Sequence, residues 1–409
     1  MNIAIVGGGI AGLAFALGLH RHGLRATVYD AAPEFREVGV GITLLPHACR
    51  ELDALGALER LEPLGIENLE SVFFNRYGQF IYRELRGRHA GHAFPELGIH
   101  RARLHATLLT LARERLGSDA IRTGMRCRGY AQTGSAITLE FARADGATER
   151  VEADIAVACD GVNSAVRAQM HPDDKLCFAG INTWRGVSAF DPILTGRSYL
   201  RIGTITTGKM VIYPIVGKYD DQGRQLVNWV AEIQRDDAPM NDWNTRADLA
   251  DFMPVFEDWR FDWLDVPALI RASVQMLQYP MVDRDPLPFW RDGRITLMGD
   301  AAHPMYPRGS NGSAQSLIDA RTLSEALAAS ADPLKAFDDY EAARREATGR
   351  VVTTNRSQPP DFIIMKADEL SGGKPFSHID DLISQEDLRQ IAARYEQVAG
   401  FSRPGASAV

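Results

Sequence analysis

The run Asn2-Ile3-Ala4-Ile5-Val6-Gly7-Gly8-Gly9-Ile10-Ala11-Gly12-Leu13-Ala14-Phe15-Ala16-Leu17 decides the fold. Asn2 to Val6 is a short apolar run that breaks at Gly7, and an apolar helix follows Gly12. A second short run, Ala26-Thr27-Val28-Tyr29, ends at Asp30, 18 residues beyond Gly12. The order is strand, glycine turn, helix, strand, acid. Gly7 permits the sharp turn, Gly9 leaves room for a pyrophosphate, and Gly12 lets the helix lie against the strand. Ile10 and Ala11 complete the turn, whose free N–H groups and positive helix end face the phosphates. Asp30 stands where a carboxylate accepts hydrogen bonds from a ribose diol. The stretch therefore predicts a dinucleotide site. By itself it leaves FAD and NAD equally open.

The rest of the 409-residue composition narrows the class. Length suits two or three domains, and 45% apolar with 24% charged residues is ordinary for a folded chain. The net charge of −8 argues against generic binding to nucleic acid or an anionic membrane. Cys49, Cys127, Cys159 and Cys177 are scattered without a C-x-x-C pair, so neither zinc nor a disulfide framework is indicated. They are expected to be reduced and buried, and no metal site is expected. The strand begins at once, with no charged leader before it, and no run of about 18 apolar residues occurs. The expectation is a cytoplasmic protein with no membrane segment.

Two further segments repeat the theme of a strand ending in an acid. Ala153 to Cys159 is a buried-strand pattern followed by Asp160-Gly161 and a helix start. Arg294 to Met298 runs into Gly299-Asp300-Ala301-Ala302-His303-Pro304, then Met305 to Gly312 and a helix from about Ser313. With the N-terminal glycine motif, these segments resemble the FAD-dependent aromatic hydroxylases typified by para-hydroxybenzoate hydroxylase. That family carries the three motifs in this order, and the match weakens after about residue 355. Gly180 to Val187 and Gln278 to Pro288 look especially like its phenazine-carboxylate monooxygenase branch.

The resemblance implies an α/β fold: a Rossmann-like FAD-binding domain, an inserted and mostly antiparallel β-sheet substrate domain, and C-terminal helices. It implies FAD as cofactor and NADH or NADPH as a transient co-substrate. Asp300 would bond ribityl or ribose hydroxyls and Gly299 would approach the pyrophosphate. Asp160 would support the FAD and a nicotinamide approach. Arg101 would lie near the phosphate and ribityl region, and Arg36 and Gly41 on the flavin-proximal loop. Reduced flavin carries negative charge, which a helix N-terminus stabilises. Pro307, Gly309, Asn311 and Gly312 fit that task, with Ser310 where many relatives have glycine. Arg308 either adds positive charge near the flavin or points to solvent.

The expected organisation is a discontinuous FAD-binding domain over 1–70, 99–175 and 276–350, a substrate domain over 71–98 and 176–275, and a helical extension over 351–409. Ser71 to Asn75 and Phe80 to Tyr82 flank a turn and read as a hairpin. Thr183–Ala189, Met210–Ile215 and Leu226–Ile233 read as strands. Asp248–Phe256, Val266–Ala272, Leu334–Arg350 and Glu386–Val398 read as helices. Ligands favour domain interfaces, so the substrate should lie between the sheet and the flavin.

No second glycine fingerprint occurs, which suits a single-component hydroxylase. The resemblance implies hydroxylation of a small aromatic or heteroaromatic substrate by O2 through a flavin C4a-hydroperoxide, with or without loss of a carboxylate. A substrate base would help. Tyr213, Tyr306 and His47 are its candidates, each with core packing as the alternative. Trp184, Arg185, Tyr213, Tyr279 and Arg308 are candidate substrate contacts. Arg185 would pair either with a substrate carboxylate or with a structural acid. His303 would buttress the flavin loop. The alternatives are Baeyer–Villiger or N-oxidising chemistry, disfavoured because the Baeyer–Villiger fingerprint and a second nucleotide domain are absent, and more distantly a flavin-binding sensor. A monomer or homodimer is expected.

Overall fold

The protein is described by a computed structural model over residues 1–35, 39–235, 245–246, 248–357 and 360–399. The strand Ile3–Val6 is buried along its whole length, as a continuous apolar run in a sheet covered on both faces should be. It lies between Ile155–Ala158 and Ala26–Tyr29, parallel to both. The full six-stranded order is Arg291–Asp292, Ile295–Leu297, Ile155–Ala158, Ile3–Val6, Ala26–Tyr29, Ile121–Arg122. The three acid-terminated strands thus run parallel, with Ile3–Val6 between two of them, and all end at the same side of the sheet, where α/β sheets bind ligands. Helix Ile10–Arg21 covers one face and packs with helix Gly312–Ala329, where Gly18 meets Ser324.

A second sheet has eight strands: Thr245–Arg246, Ser273–Arg284, Leu176–Phe190, Gln225–Gln234, Gly208–Val216, Ser198–Thr204, Glu70–Phe74 and Phe80–Leu85. Every pairing in it is antiparallel except Ser198–Thr204 against Glu70–Phe74. The three strands read from sequence lie within these spans, and so does the hairpin except for Asn75, which belongs to its turn. One face packs Trp184, Trp229 and Leu200 on Phe252 and Phe256. The other face turns toward the first sheet.

Some expectations need correction. Asp248–Phe256 is not one helix but a short turn, Leu249–Asp251, followed by Met253–Phe256. Pro254 explains the break: it lacks an N–H and is tolerated only in a first turn. The helix expected to end at Arg350 runs on as Pro333–Ser357. The late helix is Gln385–Ala399, and helix Phe362–Ser371 was not anticipated. Ile363, Ile364 and Leu388 of this C-terminal layer pack against Phe73, Ile81 and Tyr82 of the hairpin. Cys49, Cys127 and Cys159 are buried and free, whereas Cys177 is only partly buried. Among the described residues no helix is long and apolar enough to cross a membrane.

Candidate active site

Gly7 has φ +103°, and a Cβ there would lie 2.3 Å from the Cys159 carbonyl oxygen. A Cβ on Gly12 would lie 2.0 Å from the Gly7 carbonyl oxygen. Both positions therefore require glycine for sterics alone. Gly9 differs: no protein atom lies within 4 Å of its Cβ position, so its missing side chain leaves open space. It caps helix Ile10–Arg21 without a side-chain bond, so the first helical N–H groups have no side-chain acceptor at the cap.

Asp30 first serves the protein. Its two oxygens accept from the Gly8 N–H at 2.7 Å and the Ala32 N–H at 2.8 Å, fixing the glycine turn. Each carboxylate oxygen has a second lone pair, and Asp30 lines the groove beside the turn. His105 donates from Nε2 to the Gly8 carbonyl at 2.7 Å and packs on Phe35. Burial lowers the His105 pKa, which favours the neutral ring. Sequence reasoning missed His105, because its partner lies 97 residues away.

Two hollows meet at this turn. One of about 270 Å³ is bounded by Tyr29, Asp30, Arg126 and Asp160. The other, about 360 Å³, runs from Arg101 and Asp300 to the face of the eight-stranded sheet. Both are lined by Gly9, Cys159 and Gly161, and a Cβ on Gly161 would meet nothing within 4 Å.

The acids at this junction suit a hydroxyl-rich cofactor. Asp160 accepts from the Ala165 N–H through Oδ2, while its buried Oδ1 has no partner. Burial pushes its pKa up. The Asp300 side chain is exposed to the large hollow, and desolvation by the surrounding walls raises its pKa. Its carboxylate receives no hydrogen bond among the described residues. Bare acceptors of this kind fit the hydroxyls of a ribityl or ribose unit. Arg101 lines the same wall beneath Gly39 and forms no ion pair among the described residues. Gly41 lines it too, its N–H donating to Asn228 Oδ1 at 2.7 Å. Arg36 lies outside the described residues.

The loop after Asp300 is anchored from below. Asp319 accepts from the Gly299 N–H at 3.1 Å, His303 Nε2 at 2.5 Å and Arg344 Nε at 2.7 Å. Pro307, Gly309 and Gly312 line the large hollow, and Ser310 adopts φ +59°. Helix Gly312–Ala329 starts at Asn311 without a side-chain cap, so its N-terminus faces the hollow. Asn311 itself is buried, donating to the Gly309 carbonyl at 3.4 Å. Arg308 is not a solvent group: it pairs with Asp361 at 3.2 Å and lines the hollow. Asp361 also meets Lys209 at 3.1 Å, and Lys209 meets Glu232 at 2.9 Å. Burial would raise the Asp361 pKa, but the two cations hold it well below the usual carboxylate range.

The candidate substrate residues separate by sheet face. Arg185 faces the hollow, its Nε buried without a partner and its guanidinium 5.8 Å from the Tyr279 ring. Trp184, its neighbour, is fully buried on the opposite face, stacked 5.1 Å from Phe252. Adjacent residues of a strand cannot share a face, so Trp184 is core. Trp184→Ala should lower stability by about 3–5 kcal/mol without changing substrate KM, read from urea unfolding and steady-state kinetics. Tyr213 lines the hollow and stacks 5.0 Å from Tyr199. Tyr279 stands behind Arg185 rather than among the lining residues.

The base candidates fare unequally. Tyr306 packs on Ile181 and Met281 and donates to the Cys177 carbonyl at 3.4 Å, away from the hollow. His47 is buried beside Asn311; burial first, then the charge of Arg50, lowers its pKa to about 3, so it is neutral. Tyr213 alone reaches the hollow, and burial raises its pKa, so at neutral pH it offers a neutral hydroxyl and not a phenolate. Tyr199, Arg201, Lys209, Glu232 and Asp361 also line the hollow and were missed. Strand periodicity marks alternate positions but not which set faces inward.

Comparison with known proteins agrees with this geometry. A family model described as an FAD binding domain matches residues 1–355. The chain is 41% identical over 364 residues to phenazine 1,6-dicarboxylic acid hydroxylase of Lysobacter antibioticus, covering 87% of this chain and 89% of that one. It is 32% identical over 382 residues to a 3-amino-4-hydroxybenzoate 2-monooxygenase of Streptomyces platensis, covering 88% of each. It is 31% identical over 380 residues to 3-hydroxybenzoate 6-hydroxylase 1 of Aquipseudomonas alcaligenes, covering 88% of this chain and 89% of the other. Klebsiella pneumoniae HpxO, solved with FAD and uric acid, shares the fold with a TM-score of 0.76 at 20% identity, over 98% of this chain and 95% of that one.

Proposed function

The chain belongs to this FAD binding domain family and is an FAD-dependent monooxygenase, and we propose that its substrate is a small aromatic or heteroaromatic carboxylic acid. The observation that carries the substrate class is Arg185: a guanidinium with no acidic partner among the described residues, facing the large hollow. A guanidinium is the best side-chain match to a planar carboxylate. The relatives named above act, by their names, on ring acids. Bound FAD supplies the hydride and oxygen chemistry, with NAD(P)H as reductant.

The protein's own part is placement. We assign Gly7, Gly9, Ile10, Ala11 and Gly12 to the pyrophosphate turn, with Asp30 at the adenosine end. Asp160, Arg101, Gly299 and Asp300 would hold the middle of the cofactor. Gly41, Pro307, Gly309, Asn311 and Gly312 would border its ring, with the helix N-terminus offsetting negative charge there. Tyr213 would hydrogen-bond the substrate's ring substituent, and the sheet and C-terminal layer exclude water. In this reading 1–70, 99–175 and 276–350 bind the cofactor, 71–98 and 176–275 cover the substrate, and 351–409 form the extension.

The test is anaerobic mixing of the yellow holoenzyme with NADH or NADPH. An aromatic acid should speed the loss of flavin colour, by tenfold or more if it behaves as a well-positioned ligand does. Labelled O2 should then appear in a hydroxyl on the ring. The product mass separates plain hydroxylation from hydroxylation that displaces CO2, and both from ring insertion. Reduction that no aromatic acid accelerates would sink the proposal.

A further inference from the structure

The sheet register places two arginines at opposite ends of one row. Arg185 pairs with Val230, Val230 with Val211, and Val211 with Arg201. Paired residues share a face, and all four line the large hollow. Four strands in sequence separate the outer α-carbons by roughly 14 Å, at about 4.8 Å per strand spacing. The middle of the row is two valines. It is an apolar floor long enough for a fused planar ring, with a cation at each end.

Charge bookkeeping on this wall is specific. Lys209 and Arg308 are matched by Glu232 and Asp361. Neither Arg185 nor Arg201 has an acidic partner among the described residues. Arg201 is held in place by other means: Nη1 donates to Ser71 Oγ at 2.5 Å, and the guanidinium sits 4.5 Å from the Tyr199 ring and 5.0 Å from Phe73. Such contacts fix a guanidinium without neutralising it. Arg101, the other cation of this hollow without an ion pair among the described residues, lies at the cofactor end beneath Gly39. On the sheet wall Arg185 and Arg201 stay uncompensated, and they call for two anionic groups on whatever lies between them.

We propose that Arg185 and Arg201 are a two-point grip, and that the preferred substrate is a fused planar ring carrying an anionic group at each end, of which a dicarboxylate is the simplest form. This rests on the ring-acid reading above and narrows it. The pair sets specificity by orientation as well as affinity: with both ends held, the ring cannot slide along the valine floor. The carbon presented to the cofactor is therefore fixed by the spacing of the two charges.

The experiment titrates the FAD-loaded enzyme with phenazine-1,6-dicarboxylate, phenazine-1-carboxylate and phenazine, following the flavin spectrum. The wild type should bind the diacid about thirtyfold or more tightly than the monoacid, the loss typical of one buried charge partner. Arg185→Gln and Arg201→Gln should each reduce diacid affinity to about the monoacid level, with flavin content unchanged. The lysine variants at the same positions should recover part of it. Equal wild-type affinity for diacid and monoacid overturns the grip, and needs no variant to fold. So does loss of flavin from Arg201→Gln, which would give that cation to the cofactor. If no aromatic acid accelerates flavin reduction, the ring-acid reading fails; if both acids are hydroxylated and bound equally, only the two-arginine assignment fails.

Discussion

Gly12→Ala should purify as a folded but colourless protein, with a flavin-to-protein ratio roughly tenfold or more below wild type, as expected when the third glycine of a dinucleotide turn is filled. The added carbon would lie 2.0 Å from the Gly7 carbonyl oxygen, which is backbone and cannot rotate aside. The turn and helix Ile10–Arg21 must separate to admit it, and the helix end then no longer points at the groove. Circular dichroism gives the folding control. Titration with added FAD gives the affinity. Wild-type colour in the variant would remove this turn from the cofactor site.

Asp319→Ala is the second large effect, and it acts on stability. It strips the acceptor from the Gly299 N–H, His303 Nε2 and Arg344 Nε at once, all of them buried. Leaving a buried cation without its partner costs about 3–5 kcal/mol. Burial alone would raise the Asp319 pKa, but His303 and Arg344 more than offset it and bring it from 3.8 to about 2. A carboxylate depressed on folding contributes stability above its unfolded pKa and loses it as pH falls through the folded one. That contribution, roughly 2 kcal/mol by the usual conversion, should vanish between about pH 4 and pH 2. In urea titrations the variant should lack this acid limb. Because Gly299, the residue before Asp300, rests on this carboxylate, flavin retention should fall with stability. Wild-type stability at neutral pH would show that the network is dispensable.

The fold was legible where the physics is local. Glycines at 7, 9 and 12 between an apolar run and an apolar helix carry their meaning within eleven residues, from Asn2 to Gly12. Three acid-ended strands could be read one by one, and the sheet brings their acid ends to the same side, around Ile3–Val6. The site was less legible because its partners are remote. His105 reaches Gly8, Asn228 reaches Gly41, and Arg344 reaches Asp319 across long separations with no local pattern. Trp184 and Arg185 stand together in the segment that carries the family resemblance, yet strand geometry sends one into the core and the other to the hollow. Arg201 stayed hidden because a lone arginine on a strand looks like any surface charge until its row is known.

The position of Ile3–Val6 also constrains how this chain is made. One of its flanking strands, Ala26–Tyr29, is translated almost at once, but the other, Ile155–Ala158, follows about 150 residues later. At ribosomal rates of about 5–20 residues per second, the first strand waits roughly 8–30 s for that neighbour. During that interval the nascent βαβ unit carries an open, fully apolar edge, the kind of surface that recruits other chains. The order of the sheet thus makes early synthesis the period of greatest exposure to aggregation, and gives a holding chaperone its natural point of engagement.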